Sequence, residues 1–156
     1  MFGTNYFGQT YFGEDYPSLS TLDYSFGTPA SLSTNNTDLT AFSSTDYTEV
    51  LTNDSSRFDL SANSPDYAVV LFKNQATSNT TPIAPTWIGQ TDYPPSTQTV
   101  YLQIYNFNTP GWETLTSNSS ASINTDFTLT ATQSTNLSHY YDSGNWVNCR
   151  VYQKID

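Results

Sequence analysis

The sequence predicts an all-β protein: a two-sheet, jelly-roll-like β-sandwich preceded by an extended N-terminal arm. Two patterns and the composition predict it. Apolar residues recur with period two in short runs after residue 46, as half-buried strands require. Clusters of Asn, Asp, Gly and Pro separate those runs. Ser and Thr make up roughly 29% of the chain and aromatics 15%, whereas Lys, Glu, Ala and Leu are scarce. Strand formers thus dominate over helix formers. Disorder is the rival reading of so much Ser and Thr, and the abundant aromatics argue against it.

The arm comes first. Phe2-Gly3, Phe7-Gly8 and Phe12-Gly13 recur every five residues, and Tyr6-Phe7-Gly8 returns as Tyr11-Phe12-Gly13. A period of five matches neither the helix nor the strand. Glycine permits a kink after each Phe. Phe2, Tyr6, Phe7, Tyr11 and Phe12 are costly to leave in water. Residues 1–16 are therefore read as an assembly arm that docks on a neighbouring protein, with packing on the home domain as the alternative. Residues 17–45 read as a Ser/Thr-rich connecting or edge-strand segment, and residues 46–156 as the sandwich.

Within the sandwich, Tyr47–Leu51 and Arg57–Leu60 are short strand candidates. Tyr67–Phe72 is a continuous apolar run, which suits a central strand covered on both faces. Val100, Leu102 and Ile104 alternate with Tyr101, Gln103 and Tyr105, giving one buried and one aromatic face. Trp112–Leu115, Phe127–Ala131 and Trp146–Tyr152 complete the set. Val69, Leu71, Leu102, Ile104, Phe127, Leu129, Val147 and Val151 are the expected interior. Residues 74–97 hold four prolines without sustained alternation and read as a long loop. Within it, Trp87 and Tyr93 either cap the core or make a ligand or subunit contact.

Charge narrows the function. The net charge is −10, and Arg57, Lys73, Arg150 and Lys154 are the only Lys or Arg residues. Nucleic acid and anionic lipid both require clustered cations, so neither is an expected partner. No apolar stretch approaches the ~20 residues of a membrane-spanning helix. The start of the chain has neither the basic nor the apolar part of a secretory signal, although the composition is of the extracellular type. Either removal of a signal or release with a virus particle reconciles the two; the second is favoured, and a virion surface is the expected location.

Catalytic chemistry is sparse, and no enzyme is expected. His139 is the single histidine, and no Gly-x-Ser-x-Gly elbow accompanies it. Cys149 stands alone and alternates with Val147 and Val151, as a buried thiol would. One His and one Cys do not make a zinc site. No cofactor is expected. A structural calcium is the one alternative, with Asn53-Asp54 and Asp142-Ser143-Gly144-Asn145 as its oxygen-bearing turns, neither at EF-hand spacing. The five Asn-x-Ser/Thr sites, at Asn35, Asn53, Asn79, Asn118 and Asn136, are no more than this composition yields by chance.

The runs Val100–Asn106, Trp112–Leu115, Asp126–Thr130, Tyr140–Asp142 and Trp146–Gln153 resemble β-sandwich modules of secreted and phage-associated surface proteins. The aromatic-Gly repeats of residues 1–13 resemble N-terminal arms of small structural proteins of tailed bacteriophages. The resemblance implies a virion structural protein, a capsid decoration or head-fibre subunit. Its partners would be copies of itself and a major capsid or other virion protein. Two other readings stand beside it: a carbohydrate-binding or adhesin module that stacks surface glycan on exposed aromatics, and the repeating subunit of a cellular surface filament. In the last, the arm would complete a neighbour's sheet.

Overall fold

The structure is a computed structural model that describes residues 3–12, 21–51 and 56–156. Among the described residues, ten strands form two antiparallel sheets. The strands are β1 (Gly3–Phe12), β2 (Leu22–Gly27), β3 (Thr40–Ala41), β4 (Phe58–Ala62), β5 (Tyr67–Gln75), β6 (Pro85–Thr91), β7 (Val100–Asn106), β8 (Gly111–Asn118), β9 (Phe127–Thr130) and β10 (Trp146–Lys154). The large sheet runs β3-β2-β5-β10-β7-β8, and the small one β4-β1-β6-β9. The all-β sandwich expected from the sequence is what the chain forms.

The core lies between the sheets. Leu102, Ile104, Val147, Cys149 and Val151 reach it from the large sheet, and Phe58, Leu60, Trp87 and Leu129 from the small one. An aromatic cluster closes one end. Phe42 lies 4.5 Å from Phe58 and 5.8 Å from Tyr24 between ring centroids. Phe127 is partly buried and packs against the core, as its place on β9 allows.

Strand β5 is covered on both faces, as its unbroken apolar run suggests. Ala68, Val70 and Phe72 point into the core. Val69 and Leu71 are equally buried but lie on the other face. They line a shallow cleft with Leu32 and Leu39 of the segment between β2 and β3. They therefore belong to a second apolar layer and not, as expected, to the sandwich interior.

Three further expectations differ from the structure. Tyr47–Leu51 is not a strand but the second half of helix α1 (Ser44–Leu51). Its cause is a capping pair: the Asp46 amide donates to Ser43 Oγ at 3.3 Å, and the Ser43 amide donates to Asp46 Oδ2 at 2.7 Å. Reciprocal satisfaction of these amides nucleates a helix despite the β-branched residues in it. Residues 74–97 are not one long loop, because β6 crosses them as an interior strand of the small sheet. Finally, Gly3–Phe12 is extended, as expected of an arm, but it pairs with two strands of its own chain. An interior sheet position satisfies backbone groups on both sides of the strand, which an arm leaving the domain would forgo.

Candidate functional site

The described part of the arm forms a seam in the small sheet. On one side, Gly3–Phe7 pairs with Phe58–Ala62, Gly3 opposite Ala62 and Phe7 opposite Phe58. On the other, Asn5–Phe7 faces Gly89–Thr91 and Thr10–Phe12 faces Pro85–Trp87, with a register shift between Phe7 and Thr10. Strands β4 and β6 do not pair with each other, so among the described residues β1 alone joins them. On β4, Phe58, Leu60 and Ala62 are buried while Asp59 and Ser61 face out. Burial raises the Asp59 carboxyl above the usual carboxylate range, and the nearby Arg57 charge offsets this in part. Arg57, just before β4, pairs with Asp126, just before β9, at 2.7 Å.

The outer face of the large sheet carries a second arrangement. Arg150 of β10 is only 6% exposed. Its guanidinium lies 4.3 Å over the ring of Trp112 and 5.4 Å from that of Tyr152. Nε donates to Gln103 Oε1 at 2.9 Å, and Nη1 donates to the Ser33 carbonyl at 2.8 Å. Burial lowers its pKa to about 10, so it stays charged at neutral pH. The indole N–H of Trp112 donates to the Asn35 carbonyl at 3.0 Å, and Lys73 pairs with Asp38 at 2.5 Å. Together these hold the segment between β2 and β3 as a strap over Val69 and Leu71. The cleft beside Arg150 is walled by that strap, and the arginine acts as its latch. Beyond the strap, Tyr101 and Tyr152 stack at 5.2 Å on the same face.

The residues singled out from sequence fare differently. Phe2 lies outside the described residues, while Tyr6, Phe7, Tyr11 and Phe12 lie on β1. Trp87 is 2% exposed, and its ring is 5.1 Å from Phe127. It is a core residue and cannot stack on a ligand. Tyr93 packs on the core and donates its hydroxyl to the Asp156 carbonyl at 2.8 Å, which makes it a tie to the chain end. Cys149 is fully buried, and desolvation raises its thiol pKa far above the ordinary value. His139 sits in a 3-10 turn, Leu137–His139, where its carbonyl accepts from the Phe107 amide at 2.7 Å. Asp142 Oδ1 accepts the amides of Gly144 and Trp146 at 2.8 and 2.9 Å, as turn aspartates do. Asn53-Asp54 lies outside the described residues. Arg150 was missed as a site residue, because its partners Ser33, Gln103 and Trp112 are distant in sequence.

A scan of family models matches residues 22–155 to AF_1625_C, described as an uncharacterized protein, C-terminal domain. Neither the curated proteins nor the solved structures compared with the chain gave a match. The matched stretch runs from the first residue of β2 to the residue after β10, and it leaves β1 outside. Over that stretch, which is most of its length, the chain belongs to the AF_1625_C family.

Proposed function

We propose that this chain is a non-enzymatic structural subunit of a surface assembly, a capsid decoration or fibre protein whose sandwich is displayed outward. The observation that carries the reading is the position of β1. It lies outside the family match, yet it occupies the middle of the small sheet. A strand in that place is a natural anchoring element, because Gly3–Phe7 and Thr10–Phe12 are held by pairing with neighbouring strands. The described polar groups agree with this role. Glu113 accepts from Asn106 and Tyr140, and Asp142 from turn amides, so these carboxylates serve structure.

The test is to purify particles or filaments from cells that make the chain, digest them, and quantify it by mass spectrometry alongside immunogold labelling. Stoichiometric copies on the outer surface are expected. Recovery of the chain solely as free protein would overturn the reading. Glycan binding is a second reading, favoured by the partly exposed Tyr101–Tyr152 stack on the outer face. It predicts retention on a glycan column that is lost on Tyr101→Ala.

A further inference from the structure

We propose that the slot between β4 and β6 accepts β1 from a second copy of this chain, so that copies are joined by strand exchange. The inference rests on the structural-subunit reading and names its partner. Without β1, β4 and β6 would each present a row of unpaired amides and carbonyls, since they do not pair with each other. Such a slot demands a strand. The residues that form it, 58–62 and 85–91, lie within the family match, and the strand that fills it does not. Donor and acceptor are thus separable parts of one sequence.

Every hydrogen bond and register position of β1 in its own chain is available to the same strand from a neighbour. The contacts cancel in the comparison, and effective concentration decides between the two forms. A short link gives the chain's own strand an advantage on the order of millimolar. Residues 13–21 join β1 to β2, a reach of at most about 35 Å. In dilute solution the home strand wins. In an assembly, where copies crowd at comparable local concentration, a neighbour's strand competes on equal terms.

Thr4 lies directly opposite Ser61, so a disulfide between cysteines at the two positions reports this pairing. Full-length Thr4→Cys and Ser61→Cys chains are co-expressed, purified, concentrated and oxidised, and because each carries one of the two new cysteines, any link between the sites joins two chains. Peptide mapping then reads the links. The native Cys149 is fully buried and does not interfere. Exchange predicts Thr4→Cys/Ser61→Cys links between chains, at least tenfold above a control pairing of Thr4→Cys with Ser119→Cys, whose site is exposed. The same links should rise with protein concentration. Links confined to one chain of the Thr4→Cys/Ser61→Cys double variant, with none between chains, overturn exchange. Equal linking to the control site, or no link even in the double variant, overturns it as well. Incorporation of the single variants into particles is scored separately. A subunit that incorporates without cross-chain links sinks the exchange and leaves the structural role standing.

Discussion

The guanidinium of Arg150 and the indole of Trp112 stack at 4.3 Å, and each also donates a hydrogen bond to the strap, to Ser33 and Asn35 respectively. One contact between neighbouring side chains therefore closes a layer over the large sheet. Replacing Arg150 with Ala removes a desolvated cation–π contact and strands the Gln103 and Ser33 acceptors. The expected cost is about 2–4 kcal/mol in urea unfolding. Arg150→Lys keeps the charge but loses the planar fork, so it should recover less than half of that. A double-mutant cycle with Trp112→Ala should show about 1–2 kcal/mol of coupling. Strict additivity would mean that the stack contributes nothing.

Much of the sandwich was legible because its strands follow simple rules. β7 and β10 alternate, and β5 reads as apolar on both faces, which the strap and the core explain. Strand β6 was not legible, although its burial alternates without fault. Its buried positions are Pro85, Trp87, Gly89 and Thr91, and only one of these is a large apolar residue. Pairing on both sides, with β1 and β9, holds it in place of side-chain hydrophobicity. The strap was invisible for a related reason. Residues 28–39 have no period, and their order depends on Arg150, Trp112 and Lys73, far away in the chain.

Helix α1 turns on Ser43 and Asp46. Propensity alone favours a strand for Tyr47, Thr48 and Val50, so the cap decides. Ser43→Ala should cost about 0.5–2 kcal/mol, and Asp46→Ala a similar amount. The two should be less than additive, since each forms half of one reciprocal pair. Urea midpoints of the two single variants and the double variant check this. No loss at either site would mean that the burial of Val50 alone holds the helix.

Alkaline pH should unfold the protein through its tyrosines. Burial raises the pKa of Tyr47, Tyr140, Tyr141 and Tyr152 above the ordinary 10, with the Glu113 hydrogen bond and charge adding to Tyr140. The folded chain then holds these protons longer than the unfolded one. Their contribution is fully present below about pH 10 and is lost as pH rises through the raised values. Arg150 works in the opposite sense. Its pKa is lowered to about 10 by burial, so stability relative to the unfolded chain recovers as pH passes from there toward the ordinary arginine value. The Cys149 thiol, which burial raises far above its ordinary value, acts in the same sense as the tyrosines, and together these groups predict a net fall. Urea midpoints measured across this range should decline together with phenolate absorbance, and Tyr141→Phe should make the decline shallower. A flat profile would show that these hydroxyls ionise without loss of packing.

The five-residue repeat of the arm has a structural answer in β1. In a regular strand, positions five apart fall on opposite faces, because the side-chain period is two. Yet Phe7 is registered with Gly89 and Phe12 with Pro85, and both of those positions are buried. The register shift between Phe7 and Thr10 makes this consistent. Three steps along β1, from Phe7 to Thr10, match two along β6, from Gly89 to Trp87. One extra residue is absorbed, as in a β-bulge, and Gly8 stands where the backbone must bend. The bulge turns an odd repeat into an even one. Deleting Gln9 should therefore leave Asn5, Phe7, Thr10 and Phe12 opposite their present partners and yield a regular strand. The expected change in unfolding free energy is about 1 kcal/mol or less, against 2–5 kcal/mol for a core truncation such as Leu102→Ala. Amide exchange across Thr4–Phe7 should stay as slow as in the parent. A loss as large as that of Leu102→Ala would mean that the extra residue is itself paired, and that β1 sits in the sheet in another register.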